Sequence, residues 1–134
     1  MGAVGSDEAN KEVKAKNAPA AIGPYSQAIQ SGNTIYVSGQ LAFDPATGEI
    51  IGDNARAQTK QSLTNIKNIL EAAGYSMDDV VKTTVLLKDI ADFSDMNEVY
   101  GTFFTEPYPA RIAYQVGALP RNGLVEVEVI AVKE

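Results

Sequence analysis

The chain contains no cysteine, no histidine and no tryptophan. The first two absences exclude zinc sites of the Cys/His type, Ser-His-Asp and Cys-His nucleophilic machinery, and structural disulfides. Acid–base chemistry therefore falls to Asp, Glu, Lys, Tyr or bound water. An all-carboxylate metal site is chemically open, but no ligand spacing in the chain suggests one. Arginine is scarce: Arg56, Arg111 and Arg121 are the only three. The net charge is −6, which argues against binding driven by nucleic-acid phosphates, since that needs a basic stripe. No apolar run approaches the ~20 residues needed to span a bilayer. The first eight residues, Met1 to Glu8, carry neither a basic segment nor an apolar one and are acidic. The expectation is a cytoplasmic protein with no membrane partner.

Against these absences stands an ordinary globular composition, with 45% hydrophobic and 21% charged residues in 134. That length suits one domain with its own core. Residues 1–17 are polar and small and read as an N-terminal tail; residues 18–134 read as a single domain. Ser26 to Gln30 and Thr34 to Ser38 flank Ser31-Gly32-Asn33 and predict a hairpin. Asp44-Pro45-Ala46-Thr47-Gly48 predicts a second turn. A helix is expected from Asp53 or Asn54 as N-cap, with Leu63, Ile66, Leu70 and Ala73 on its buried face and Gly74 as its stop. Ser76 and Asp79 suggest a short capped turn. Val80 to Leu87 is rich in β-branched residues but alternates poorly, which predicts a strand buried on both faces. A second helix is expected over Asp92 to Thr105, its Phe93, Met96, Tyr100, Phe103 and Phe104 read as core packing.

The last quarter is the most informative. Pro109-Ala110-Arg111 opens a strand-like run, Ile112 to Val116, and a turn over residues 119–123 leads to a second run from Val125 to Val132. Period-two alternation puts Val125, Val127, Val129 and Ala131 on one face, with Glu126 and Glu128 on the other. A carboxylate on a mostly apolar strand is costly to bury without a partner. One Arg and one Glu projecting from adjacent strands predict an anion-binding, water-orienting site. The order β-β-β-α-β-α-β-β implies an α+β fold, one sheet with both helices on one face. Its other face keeps Ile, Val, Ala and Tyr residues, which invites self-association.

Five segments then carry a resemblance: Ala18 to Ala28, Val37-Ser38-Gly39-Gln40, Asn97-Glu98-Val99-Tyr100, Pro109-Ala110-Arg111, and Val125 to Val132. In this order they resemble the reactive intermediate deaminase A (RidA) family, also called YjgF, across residues 18–134. The resemblance implies a chorismate-mutase-like α+β fold with a mixed sheet. It also implies a homotrimer with a central barrel-like sheet core and sites between subunits. The implied activity is hydrolysis of 2-imino or enamine acids, such as 2-aminoacrylate and 2-iminobutyrate, to 2-oxo acids and ammonia. It needs no cofactor, and nothing here resembles a pyridoxal-phosphate site.

By the same resemblance Arg111 binds the substrate carboxylate, whose geometry a guanidinium matches with two parallel hydrogen bonds. Its alternative is an exposed Arg at a strand end. Glu126 holds or activates the attacking water, with Glu128 as competitor on the same strand face. Tyr25 covers the ligand or stands as an interface tyrosine. Gly39 allows backbone to approach the ligand or marks a bulge. Asn97 is a polar residue near the site, or else a helix cap or an exposed surface residue. Ala113 stands where other members carry Cys and offers a backbone N–H. The segment between Phe104 and Arg111 is short compared with some members, which bears on the cleft rim. A non-catalytic binding or regulatory protein for small carboxylates is the competing function. An endoribonuclease or translation inhibitor fits the charge least.

Overall fold

The computed structural model describes residues 9–134. A six-stranded mixed sheet forms one layer and two helices form the other. The strands are β1 (Lys11–Val13), β2 (Ala28–Ser31), β3 (Thr34–Gln40), β4 (Val80–Leu87), β5 (Ala110–Gln115) and β6 (Val125–Val132); the helices are α1 (Ala55–Ala72) and α2 (Phe93–Tyr100). The spatial order is β1-β2-β3-β6-β4-β5. Every neighbouring pair is antiparallel except β4 and β5. The α+β class, and the order of elements from the first helix onward, agree with the sequence expectation.

The first strand does not. It comes from the segment read as a tail. Lys11–Val13 pairs with β2, and Val13, Ala15 and Ala18 are buried. Gln27 holds this segment from the core side: its amide oxygen accepts from Ala15 N at 2.6 Å, and its amide nitrogen donates to the carbonyls of Ala15 and Pro19. The sheet therefore begins before residue 18, and a mostly polar segment joins it through backbone pairing together with the burial of Val13, Ala15 and Ala18. The first eight residues of the expected tail lie outside the described residues.

Local chemistry sets the element ends. Asn54 caps α1 by accepting from Ala57 N at 2.9 Å. Leu63, Ile66 and Leu70 are fully buried under the sheet, and Gly74 adopts the left-handed conformation that ends the helix. The Ser76–Asp79 capping box is present. The second helix is shorter than expected. It stops at Tyr100, Gly101 caps it, and Phe103 and Phe104 reach the core from the turn that follows.

Strand β4 corrects another expectation. Val80 faces Ala131 while Lys82 faces Ile130, so Val81 is an extra residue, a β-bulge. The bulge shifts the alternation, which is why the apolar pattern is irregular along the chain. Beyond it Thr83, Val85 and Leu87 are buried on the helix face, whereas Val81 is exposed, so β4 is not covered on both sides. Val125, Val127, Val129 and Ala131 join Val85 and Leu87 in the core. The opposite sheet face carries Tyr36, Ile112 and Tyr114, each roughly half exposed. Among the described residues no helix is long and apolar enough to cross a membrane.

Candidate active site

Glu126 and Glu128 leave β6 on the open face of the sheet. Glu126 lies opposite Leu86 on β4, and Glu128 opposite Thr84. On the other side of β6 the pairing with β3 slips: Val37 faces Val129 but Gln40 faces Val127. The slip falls at Ser38-Gly39, and bulges of this kind often re-aim groups beside active sites. Here the bulge brings the Gly39 backbone under the Glu126 carboxylate. A Cβ at Gly39 would sit 2.5 Å from Glu126 Oε2, far inside van der Waals contact. Glycine is required here for close approach, not for its backbone angles.

A cleft of about 920 Å³ surrounds this pair, lined by Tyr25, Gly39, Arg121, Glu126 and Glu128 among others. Half-burial raises the pKa of Glu126 above the ordinary carboxylate value, and the charge of Glu128 adds to the rise. Glu128 itself is exposed. The two glutamates share a face and a cleft, but only Glu126 is seated over Gly39. Gly39→Ala should displace that carboxylate. We expect kcat to fall by about one order of magnitude, since small misplacements of a reacting group are costly, with the thermal midpoint little changed. Steady-state kinetics beside a thermal melt checks this; a fully active variant would show that the Glu126 position is immaterial.

Arg111 lies elsewhere. It is on the edge strand β5, opposite Thr83 in register, and points to the helix face. Its Nη1 donates to Asn97 Oδ1 at 2.6 Å. Its guanidinium carbon lies 4.7 Å from the centre of the Tyr100 ring and 5.5 Å from that of Phe93. Phe93, Asn97 and Tyr100 have i, i+4, i+7 spacing on α2 and so share one helix face. Tyr100 is buried, and its hydroxyl hydrogen-bonds Thr83 Oγ1 at 2.8 Å. Burial raises the Tyr100 pKa, while the Thr83 hydrogen bond and the nearby Arg111 charge pull it back down. Asn97, Tyr100, Gly101, Tyr108, Pro109 and Arg111 line a second hollow. Among the described residues Arg111 has no carboxylate partner, whereas Arg56 pairs with Asp95 and Glu98.

The expected Arg–Glu pairing across adjacent strands is therefore corrected. Strand β4 lies between β5 and β6, and the two side chains leave opposite faces of the sheet. One chain brings together Arg111 with Asn97, and Tyr25 with Gly39 and Glu126, as two separate halves. Ala113 lies two residues beyond Arg111, but its side chain packs against the core rather than lining the hollow. Two further residues belong to the Arg111 half: Phe93 and Tyr100. Helical periodicity assigns their stripe to the core alone. The signal that distinguishes them is their spacing around Asn97, which shows only once β5 is placed against α2. Among the described residues no cluster of three or more potential ligands could hold a metal ion.

Comparison with known proteins agrees with this architecture. A family model described as Endoribonuclease L-PSP matches residues 15–133. The chain is 56% identical to a RutC family protein of Pyrococcus horikoshii, over 89% of this chain and 94% of the relative. It is 54% identical to the 2-iminobutanoate/2-iminopropanoate deaminase of Bos taurus, over 92% of this chain and 90% of the relative. The crystal structure of RidA from the Antarctic bacterium Psychrobacter superposes with a TM-score of 0.87 at 52% identity, covering 92% of this chain and 99% of that one. A match over nearly the whole chain, with relatives above half identity and the same fold, places this chain in the Endoribonuclease L-PSP family, the RidA/YjgF group to which its sequence motifs pointed.

Proposed function

We propose that the protein is an enzyme that hydrolyses 2-imino and enamine acids to 2-oxo acids and ammonia. In this reading it acts as a homotrimer in the cytoplasm, and each active site joins the Arg111 half of one subunit to the Glu126 half of the next. The observation that carries the reading is the division of the chemistry. A cation without a carboxylate partner among the described residues and a carboxyl whose pKa half-burial raises lie on opposite sheet faces of one chain. Neither half suffices alone. The half-apolar open face, with Tyr36, Ile112 and Tyr114, supports the same assembly, because such a face gains most by burial against another copy. Deaminases among the relatives at about half identity support the substrate class.

The mechanism follows from the groups. Arg111 grips the substrate carboxylate with two N–H donors, and Asn97 steadies the guanidinium from the side. Tyr25 closes over the ligand, and the backbone N–H at Ala113 assists from the edge strand. Water held by Glu126 adds to the imine carbon, and its proton passes to the carboxylate. The same carboxyl returns that proton to the nitrogen to give the carbinolamine; it then carries the carbinolamine hydroxyl proton to the nitrogen as the C–N bond breaks, and ammonia leaves the 2-oxo acid. For an enamine, protonation at carbon precedes this addition and gives the imine. A carboxyl that holds its proton above the ordinary range suits both transfers.

The test mixes two disabled variants. Arg111→Ala and Glu126→Gln subunits are co-refolded in equal amounts and assayed on 2-iminobutyrate generated by a threonine dehydratase. If sites are shared between subunits, random mixing leaves about one quarter of them with both residues intact. Activity should recover to about that fraction of wild type. Recovery no greater than the sum of the parents would sink the shared site. Wild-type protein that releases ammonia no faster than background would sink the deaminase reading.

A further inference from the structure

Arg111 poses a physical problem for a carboxylate clamp. A guanidinium at the end of a long side chain on an edge strand must be held in one orientation. A protein carboxylate would hold it, but would also occupy the donors that the substrate needs. The chain holds it another way. The rings of Tyr100 and Phe93 lie 4.7 and 5.5 Å from the guanidinium carbon, and Asn97 takes one Nη1 hydrogen at 2.6 Å. An aromatic face attracts a cation through its quadrupole and makes no demand on the in-plane N–H groups. The remaining donors of Arg111 are left for a ligand.

We propose that Tyr100 and Phe93 form an aromatic platform that positions Arg111 for substrate. They are positioning residues, neutral by design, so that the cation keeps its affinity for a carboxylate. The inference rests on the reading of Arg111 as the carboxylate clamp. The platform is itself anchored. The Tyr100 hydroxyl meets buried Thr83 at 2.8 Å, and its ring packs on Phe104 with centroids 4.7 Å apart. Thr83 is also the register partner of Arg111 across β4 and β5. The strand that sets the height of Arg111 thus also fixes the ring beneath it. Both Tyr100 and Asn97 come from α2, so one rigid helix supports the guanidinium from below and from the side.

Calorimetric titration with 2-oxobutyrate, the expected product, tests this on the full chain. Tyr100→Leu and Phe93→Leu remove ring faces. Tyr100→Phe keeps the face and loses the Thr83 contact. Ile35→Val trims core packing on β3, which β6 and β4 separate from β5 and Arg111. Tyr100→Leu should weaken binding about tenfold, and raise KM in parallel with kcat changed less than about twofold. Phe93→Leu, which has the longer contact, should weaken it less. Tyr100→Phe should bind within about threefold of wild type. Ile35→Val should lower the thermal midpoint and leave affinity unchanged. Wild-type affinity in Tyr100→Leu, or equal loss in Ile35→Val, would overturn the platform. If Tyr100→Leu does not fold, Phe93→Leu decides, and wild-type affinity there overturns it. Arg111→Ala is the separate arm: undiminished product binding in that variant would reject the clamp itself, whatever the aromatic variants do.

Discussion

Glu126→Gln is expected to lower kcat by about two to four orders of magnitude, the usual worth of a positioned general acid–base, and at the same time to raise the melting temperature at neutral pH. The two effects share one cause. Half-burial beside Gly39, with Glu128 nearby, raises the proton affinity of Glu126. The folded chain then binds that proton more tightly than the unfolded chain does. The stability contributed by the group is fully present at low pH and is lost as pH rises from the ordinary carboxylate range through the raised value. Above that value the ionised carboxylate burdens the fold, and a neutral amide of the same shape relieves it.

The pH profile carries the same sign. If the ionised form receives the proton from water, the acid limb of kcat should lie above the ordinary carboxylate range. Tyr25 and Arg121 line the same cleft, but Glu128 is the neighbour that adds to the shift. Glu128→Gln should therefore move the limb downward while leaving most of the turnover. Continuous assay of 2-oxo acid formation across pH, beside thermal scans of each variant, separates these outcomes. A Glu126→Gln enzyme within threefold of wild type would pass the acid–base role to another group, with Glu128 first in line.

Arg111→Ala is expected to lower kcat/KM by roughly ten- to hundredfold, the loss of a charge-assisted contact of ~1.5–3 kcal/mol. Arg111→Lys should recover only part of this. An ammonium cannot form the paired hydrogen bonds of a planar guanidinium, nor lie flat over Tyr100 and Phe93 in the same way. The loss should be specific to carboxylate recognition, so 2-oxobutyrate should lose its ability to inhibit in step with the loss of substrate. Unchanged kinetics in Arg111→Ala would move carboxylate recognition to Arg121, the other arginine without a carboxylate partner among the described residues.

Much of this molecule is legible along the chain. The helical period names Leu63, Ile66 and Leu70 as the face of α1 that the sheet buries. The period of two in Val125 to Val132 separates the core valines from Glu126 and Glu128. Absent Cys and His confine acid–base chemistry to carboxylates, Lys, Tyr and water. Such features are local: periodicity, capping and residue chemistry act within a few positions of one another.

Other features are products of pairing. No local signal places Lys11–Val13 in the sheet, because its attachment comes from backbone pairing with β2, from Gln27, twelve residues beyond Ala15, and from the burial of Val13 and Ala15 in a core built by distant segments. The bulge at Val81 exists only as a register between β4 and β6. Strand order cannot be read from chain order either, because a parallel partner inserts wherever its crossover allows. That is why β4 separates Arg111 from Glu126 although their runs follow one another in sequence. The sequence alone determined which groups are available for chemistry and which faces are apolar, since side-chain type and periodicity decide both. Only the tertiary structure decided that the two key groups face opposite ways, that Gly39 makes room for one of them, and that an aromatic face of α2 holds the other, because each depends on register and packing between segments far apart in the chain.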